Sequence, residues 1–134
     1  VATLNQIKAY PFAETFEVQT TDATSINVWL IPKGTIVDDV IVVVKTAAST
    51  GYITVGDTDT ANGYITSADA AGAAGTVYGD SPAEKGAFLY DATVKGGFRK
   101  VYTTHDKYLT IVVDRAGTDG TFLITVTGFR TKVD

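Results

Sequence analysis

Residues Tyr108–Phe129 read YLTIVVDRAGTDGTFLITVTGF. Two runs within this stretch alternate apolar and polar residues, the period-2 mark of a strand with one buried face. Leu109, Ile111 and Val113 share one face of the first run, and Phe122, Ile124 and Val126 share one face of the second. Between them, Arg115–Gly120 contains Asp-Gly and reads as a loop. The spacing predicts a β-hairpin.

Similar segments recur toward the N-terminus. Thr15–Thr20 alternates, and Ile26–Ile31 follows as a second strand. Within it Trp29 is out of phase with Ile26 if Val28 and Leu30 face inward, so its ring points to the core or to an interface rather than to a ligand. Pro32-Lys33-Gly34 suits a type I turn with Pro second and Gly fourth. Ile36–Lys45 has the strongest β character, with Asp38 and Asp39 ahead of the unbroken β-branched run Val40–Val44. A run without alternation predicts burial on both faces. Gly51–Val55 is expected to pair back onto it through a small turn at Ala47–Thr50. Ala87–Val94 and Phe98–Thr103 read as strands around Gly96-Gly97. Residues 67–87 are rich in small residues and aperiodic, a long loop with a short helix at Ser67–Ala71 that Ser67 would cap. Residues 1–14, interrupted by Pro11, read as an extended N-terminal arm, and 15–134 as one domain. The expected fold is all-β, an antiparallel β-sandwich of jelly-roll-like form.

Composition agrees. The chain has 134 residues, and its 22 Thr and 16 Val favour strands over helices. One domain of this length buries roughly two-thirds of its unfolded surface. The net charge is −4, and no Lys or Arg cluster supplies the basic face that nucleic acid requires. There is no Cys, which removes disulfides, thiolate metal sites and Cys nucleophiles. The opening VATLNQIKAYPF lacks a charged-then-apolar signal pattern. The longest apolar run, Val40–Val44, is far shorter than the about 20 residues of a membrane helix. Neither nucleic acid nor membrane is expected as a partner.

The search for chemistry returns little. His105, the single histidine, is followed by Asp106, a pairing that could orient a general base. No nucleophile elbow accompanies it, and Thr103–Lys107 reads as a solvated turn. No H-E-x-x-H, Walker A or G-x-G-x-x-G pattern occurs. The expectation is no enzyme, no cofactor and no metal. Val55–Ile65, VGDTDTANGYI, is the one oxygen-rich loop that invites a calcium reading. Counting from Asp57 as position 1 puts Asp59 at 3, Ala61 at 5, Gly63 at 7 and Ala68 at 12. An EF-hand needs a ligand at 5, Gly at 6 and Glu at 12. Two readings stay open: a looser calcium loop using Asp57 and Asp59, and a turn in which Asp and Asn side chains bond nearby N–H groups.

Three pieces in order carry a family resemblance: Ile31–Val40 (IPKGTIVDDV), then Val55-Gly56-Asp57 with Asn62–Ile65, then Leu109–Val113 with Gly117-Thr118 and a closing strand. The layout resembles small virion proteins of tailed bacteriophages, in particular capsid decoration (cement) proteins and head-fibre base domains. It spans roughly residues 26–129. The resemblance implies a mechanical role: a homotrimer made in the host cytoplasm that binds the major capsid protein on the outer surface of the virion and clamps neighbouring subunits. The alternatives are another virion part, such as a head-fibre, tail or adaptor component, and a carbohydrate-binding β-sandwich module, since aromatic rings stack on sugars.

Overall fold

A computed structural model describes residues 8–19, 25–91, 93, 96–115 and 120–131. Its strands are β1 (Ala9–Gln19), β2 (Ser25–Leu30), β3 (Thr35–Thr46), β4 (Gly51–Asp57), β5 (Ile65–Asp69), β6 (Val77–Tyr78), β7 (Tyr90–Asp91), β8 (Gly96–Gly97), β9 (Lys100–Val101), β10 (Tyr108–Arg115) and β11 (Thr121–Thr131). One 3-10 turn, Pro82–Glu84, lies between β6 and β7. Sheet A has the order β1-β11-β3-β6, with β9 also on β3. Sheet B has the order β2-β10-β4-β5, and β7 pairs with β8 alone. Every pairing among these strands is antiparallel. The fold is therefore all-β and sandwich-like, as the alternation predicts.

The expected inward faces are correct. Leu109, Ile111 and Val113 on β10 are buried, as are Phe122, Ile124 and Val126 on β11. The expected hairpin is not. β10 pairs with β2 and β4, whereas β11 pairs with β1 and β3. The two strands lie in different sheets, and both pack into one core. Alternation identifies a buried face, but a face can be buried across a sandwich as well as within a hairpin. Residues 116–119 of the expected turn lie outside the described residues. The same correction applies to Gly51–Val55: β3 and β4 sit in separate sheets, so Ala47–Thr50 is a corner between layers.

Two β-bulges account for the irregular phases. Leu109 pairs with Trp29 and Thr110 with Asn27, so Val28 is the extra residue. Ile26, paired with Ile111, and Trp29, paired with Leu109, therefore face the same interior despite their odd spacing. Trp29 packs at the edge of the core, with ring centroids 5.6 Å from Phe12 and 6.3 Å from Phe16. On β3, Thr127 faces Asp39 and Gly128 faces Val37, leaving Asp38 extra. Val37 and Val40 are thus both buried. Beyond the bulge, Val40, Val42 and Val44 are buried while Ile41 and Val43 are half-buried on the outer face. The run expected to be buried on both faces is buried fully on one.

Three further boundaries differ. Residues 9–14, read as part of an arm, form the first half of β1, paired from Ala9–Thr131 to Gln19–Thr121. Pro11 is tolerated there because β1 is an edge strand. Residues 1–7 lie outside the described residues. The turn after β2 slips by one residue: Thr35 N–H donates to Pro32 O at 3.2 Å, and Gly34 takes the third place at φ 85°. Positive φ at that place is the requirement of a type II turn. In 67–87, β5 continues through Asp69 against Tyr52 of β4, so sheet pairing prevails over a helix capped by Ser67. The rest is tied to the sandwich, with Val44 N–H donating to Thr76 O at 2.9 Å and Gly75 N–H to Val44 O at 2.7 Å. The strands expected at Ala87–Val94 and Phe98–Thr103 shrink to Tyr90–Asp91, whose partner is Gly96–Gly97, and to Lys100–Val101 on β3. Phe88 and Leu89 are drawn instead into a loop, bonded to Gly63 O and Gly86 O. Residues 92, 94 and 95 are not among the described residues.

Candidate functional site

The loop after β4 and the segment Lys100–Lys107 enclose a concavity with a charged and polar lining. It has a volume of about 290 Å³ and is lined by Asp57, Asp59, Lys100, Val101, Tyr102, Thr103, Thr104 and Lys107. Its floor begins where β4 ends. Asp57 is 1% exposed. Its Oδ1 accepts the backbone N–H groups of Asp59 at 2.9 Å and Thr60 at 3.0 Å, which is how an Asp side chain mimics a turn. Asp57 N–H donates to Thr60 O at 3.0 Å, and Tyr64 N–H re-enters the sheet on Val55 O at 2.9 Å. Gly56 permits the tight fold, because a Cβ there would overlap the carbonyl of Thr60.

Asp57 Oδ2 faces the interior and accepts the hydroxyl of Tyr102 at 2.8 Å. The Tyr102 oxygen lies 2.6 Å from the Tyr64 hydroxyl. Since Tyr102 gives its proton to Asp57, Tyr64 donates to Tyr102, and the three groups form a directed chain. Such chains strengthen in a low-dielectric interior. Burial pushes both phenols well above their ordinary range; for Tyr102 the neighbouring Tyr64 and Asp57 add to the effect. Both hydroxyls therefore stay protonated and act as fixed donors.

The rim is charged and internally paired. Lys107 Nζ lies 3.1 Å from Asp59 Oδ1, and that bond raises the lysine above its ordinary value. Lys100 Nζ stands 4.3 Å from the Phe88 ring centroid and 5.6 Å from that of Tyr102, a cation–π placement.

This geometry supports the turn reading of VGDTDTANGYI. Both Asp57 oxygens are occupied by donors from the chain, and Asp59 is occupied by Lys107. The loop is a side-chain-stabilised turn that anchors a buried tyrosine pair. No group of three or more acidic or His side chains suited to a metal occurs among the described residues. His105 and Asp106 are not brought together as a catalytic pair. His105 is exposed, and Asp106 Oδ1 accepts the Thr104 hydroxyl at 2.5 Å, which holds that carboxyl below its ordinary value. Sequence reasoning missed Tyr64 and Tyr102. They lie 38 residues apart, and no local pattern links them.

The sequence matches no protein-family model and no curated protein. Among solved structures, a chain of the "Cyanophage Pam1 capsid asymmetric unit" is similar, with a TM-score of 0.51 and 19% identity. The match covers 97% of this chain and 92% of that one. At that identity the two chains, of nearly equal length, share a fold from end to end.

Proposed function

We propose that this chain is a structural component of a bacteriophage virion: a capsid decoration (cement) protein that binds the outer surface of the head and clamps neighbouring major-capsid subunits. The observation that carries this reading is the whole-chain likeness to a chain of a phage capsid asymmetric unit. The sheet orders β1-β11-β3-β6 and β2-β10-β4-β5, with the chain passing from one sheet to the other, support a jelly roll, a form used by viral capsid domains.

The role is mechanical, not catalytic. The buried acid and the two buried phenols hold one loop against the core, which is a structural assignment. The test is binding of the purified chain to emptied, expanded heads of the phage that encodes it. Imaging of labelled virions separates the outer head surface from a fibre, tail or adaptor position.

A further inference from the structure

Sheet A has an open edge at β9. Val101 stands opposite Ile36 of β3, and Lys100 opposite Val37. Beyond them, Tyr102 N–H donates to Thr35 O at 2.9 Å, and Tyr102 O accepts the N–H of Gly34 at 2.8 Å. Bonding to β3 therefore falls on Lys100 and Tyr102. In an antiparallel ladder the residue between two such positions turns its N–H and C=O the other way. Val101 presents both groups away from β3, and no backbone bond reaches them among the described residues. Unpaired groups on an edge are a template for another strand. Three other edges are blunted. Pro11 interrupts β1, a bulge at Val28 twists β2, and β5 is covered by the Ile65–Lys85 bridge and by Thr66 Oγ1 on Glu84 O at 3.4 Å.

Two concavities flank the β9 edge and share Val101, Tyr102 and Thr103. One is the charged concavity beside Asp57, which Lys100 and Lys107 line. The other is an apolar groove of about 250 Å³, walled by Ile36, Val101 and Thr131 with Lys33 at its rim. Successive side chains of a strand point to opposite faces. A strand laid along Val101 therefore sends one side chain to each concavity. The side chain opposite Val101 meets Val101 itself, 53% exposed, and the groove, so it is apolar. The side chain opposite Lys100 is acidic. Lys45, Lys85, Arg99, Lys107 and Arg130 are each paired with a carboxylate, whereas Lys100 and Lys33 are in no ion pair among the described residues. Lys100 rests instead on the rings of Phe88 and Tyr102. The acids already in the concavity are satisfied: Asp57 by Asp59 N–H, Thr60 N–H and the Tyr102 hydroxyl, and Asp59 by Lys107.

We propose that the β9 edge at Val101 docks an extended segment of another protein. The segment adds antiparallel to β9, with an apolar residue opposite Val101 and an acidic residue opposite Lys100. In strand addition of this kind, main-chain bonds hold the segment and alternate side chains select it. The antiparallel sense is that of every pairing among the described strands. β9 is only two residues long, so the docked segment is short and one copy holds it weakly. The inference rests on the capsid reading only for the protein that supplies the segment, which that reading makes the shell. A synthetic peptide tests it separately.

The probe is a capped pentapeptide of threonine, valine, glutamate, valine and threonine in that order, titrated to millimolar concentration into the isotope-labelled whole chain. Nuclear magnetic resonance should show a saturable shift of the Val101 amide and slower exchange of its proton. Lys100→Gln, or glutamine in place of the peptide glutamate, weakens binding roughly threefold, as loss of a cross-strand charge pair does. Methylating the valine nitrogens of the peptide, which face Val101, abolishes binding. Methylating the glutamate nitrogen, which faces away, does not. Val101→Pro removes the outward N–H without touching the ladder to β3, so a folded variant binds about tenfold more weakly. Should that variant not fold, the methylated peptides decide alone. No shift at Val101, equal binding of the two methylated peptides, or pairing of this edge with a second copy overturns the proposal. Peptide binding without head binding keeps the docking edge and rejects the capsid reading. Head binding without peptide binding does the reverse.

Discussion

Tyr102 donates its hydroxyl to the buried carboxylate of Asp57 across 2.8 Å, joining the end of β4 to the segment that follows β9. These residues are 45 positions apart, and their bond fixes one side of the polar concavity. Tyr64 completes the chain from behind, donating to Tyr102.

The direction of that chain ranks two conservative substitutions. Tyr102→Phe removes the donor to Asp57 and the acceptor of Tyr64, leaving two buried polar groups unsatisfied. Its expected cost is about 2–6 kcal/mol, since each such group costs about 1–3. Tyr64→Phe leaves the Tyr102–Asp57 bond in place and costs about 1 kcal/mol. Urea unfolding read at constant m-value checks the order. Equal costs, or the reverse order, contradict the directed chain.

Alkaline pH exposes the same pair. Both phenols have folded-state values raised above the ordinary 10.0. A raised acid binds its proton more tightly in the folded state, so the stabilisation is fully present below pH 10 and is lost as pH rises beyond it. Two such groups give a slope of about 2.7 kcal/mol per pH unit, at 1.36 for each. Tyrosinate absorbance and far-UV circular dichroism followed together should show these two phenols ionising only as the strands melt. Ionisation of all seven tyrosines with the fold intact would refute the assignment.

Calcium should have no effect on melting. Asp57 spends its oxygens on the N–H groups of Asp59 and Thr60 and on the Tyr102 hydroxyl, and Asp59 is paired with Lys107. Thermal unfolding at millimolar calcium should match that in chelator. A raised melting temperature that Asp59→Asn abolishes would restore the cation reading.

Trp29 belongs to the edge of the core and not to a ligand platform. Its ring packs on Phe12 and Phe16, and the Arg130 guanidinium stands 5.4 Å from its centroid. Trp29→Ala should cost about 2–3 kcal/mol, less than full burial would give because the ring is half-buried. Tyr52→Ala, at 54% exposure, should stay within about 0.5 kcal/mol. Calorimetry of both variants decides it.

The sequence carried the buried faces more clearly than the partnerships. Leu109, Ile111 and Val113, and likewise Phe122, Ile124 and Val126, could be read as inward because alternation is a local property of one strand. The sheet each strand joins depends on where the chain crosses the sandwich, and no residue near Arg115–Gly120 reports it. The bulges left a visible trace: Ile26 with Trp29, and Val37 with Val40, are apolar pairs at odd spacing. Read as a bulge signal, that spacing locates Val28 and Asp38. The Asp57 turn was legible in part, because Asp and Gly carry local turn chemistry. The tyrosine pair was not, because its members come from distant segments that only the finished sandwich brings together.

The most direct measurement of the proposed role is co-sedimentation of the purified chain with emptied, expanded heads of the encoding phage. The account predicts saturable binding and heads that withstand higher temperature once decorated. A folded chain that stays in the supernatant and leaves head stability unchanged would contradict it.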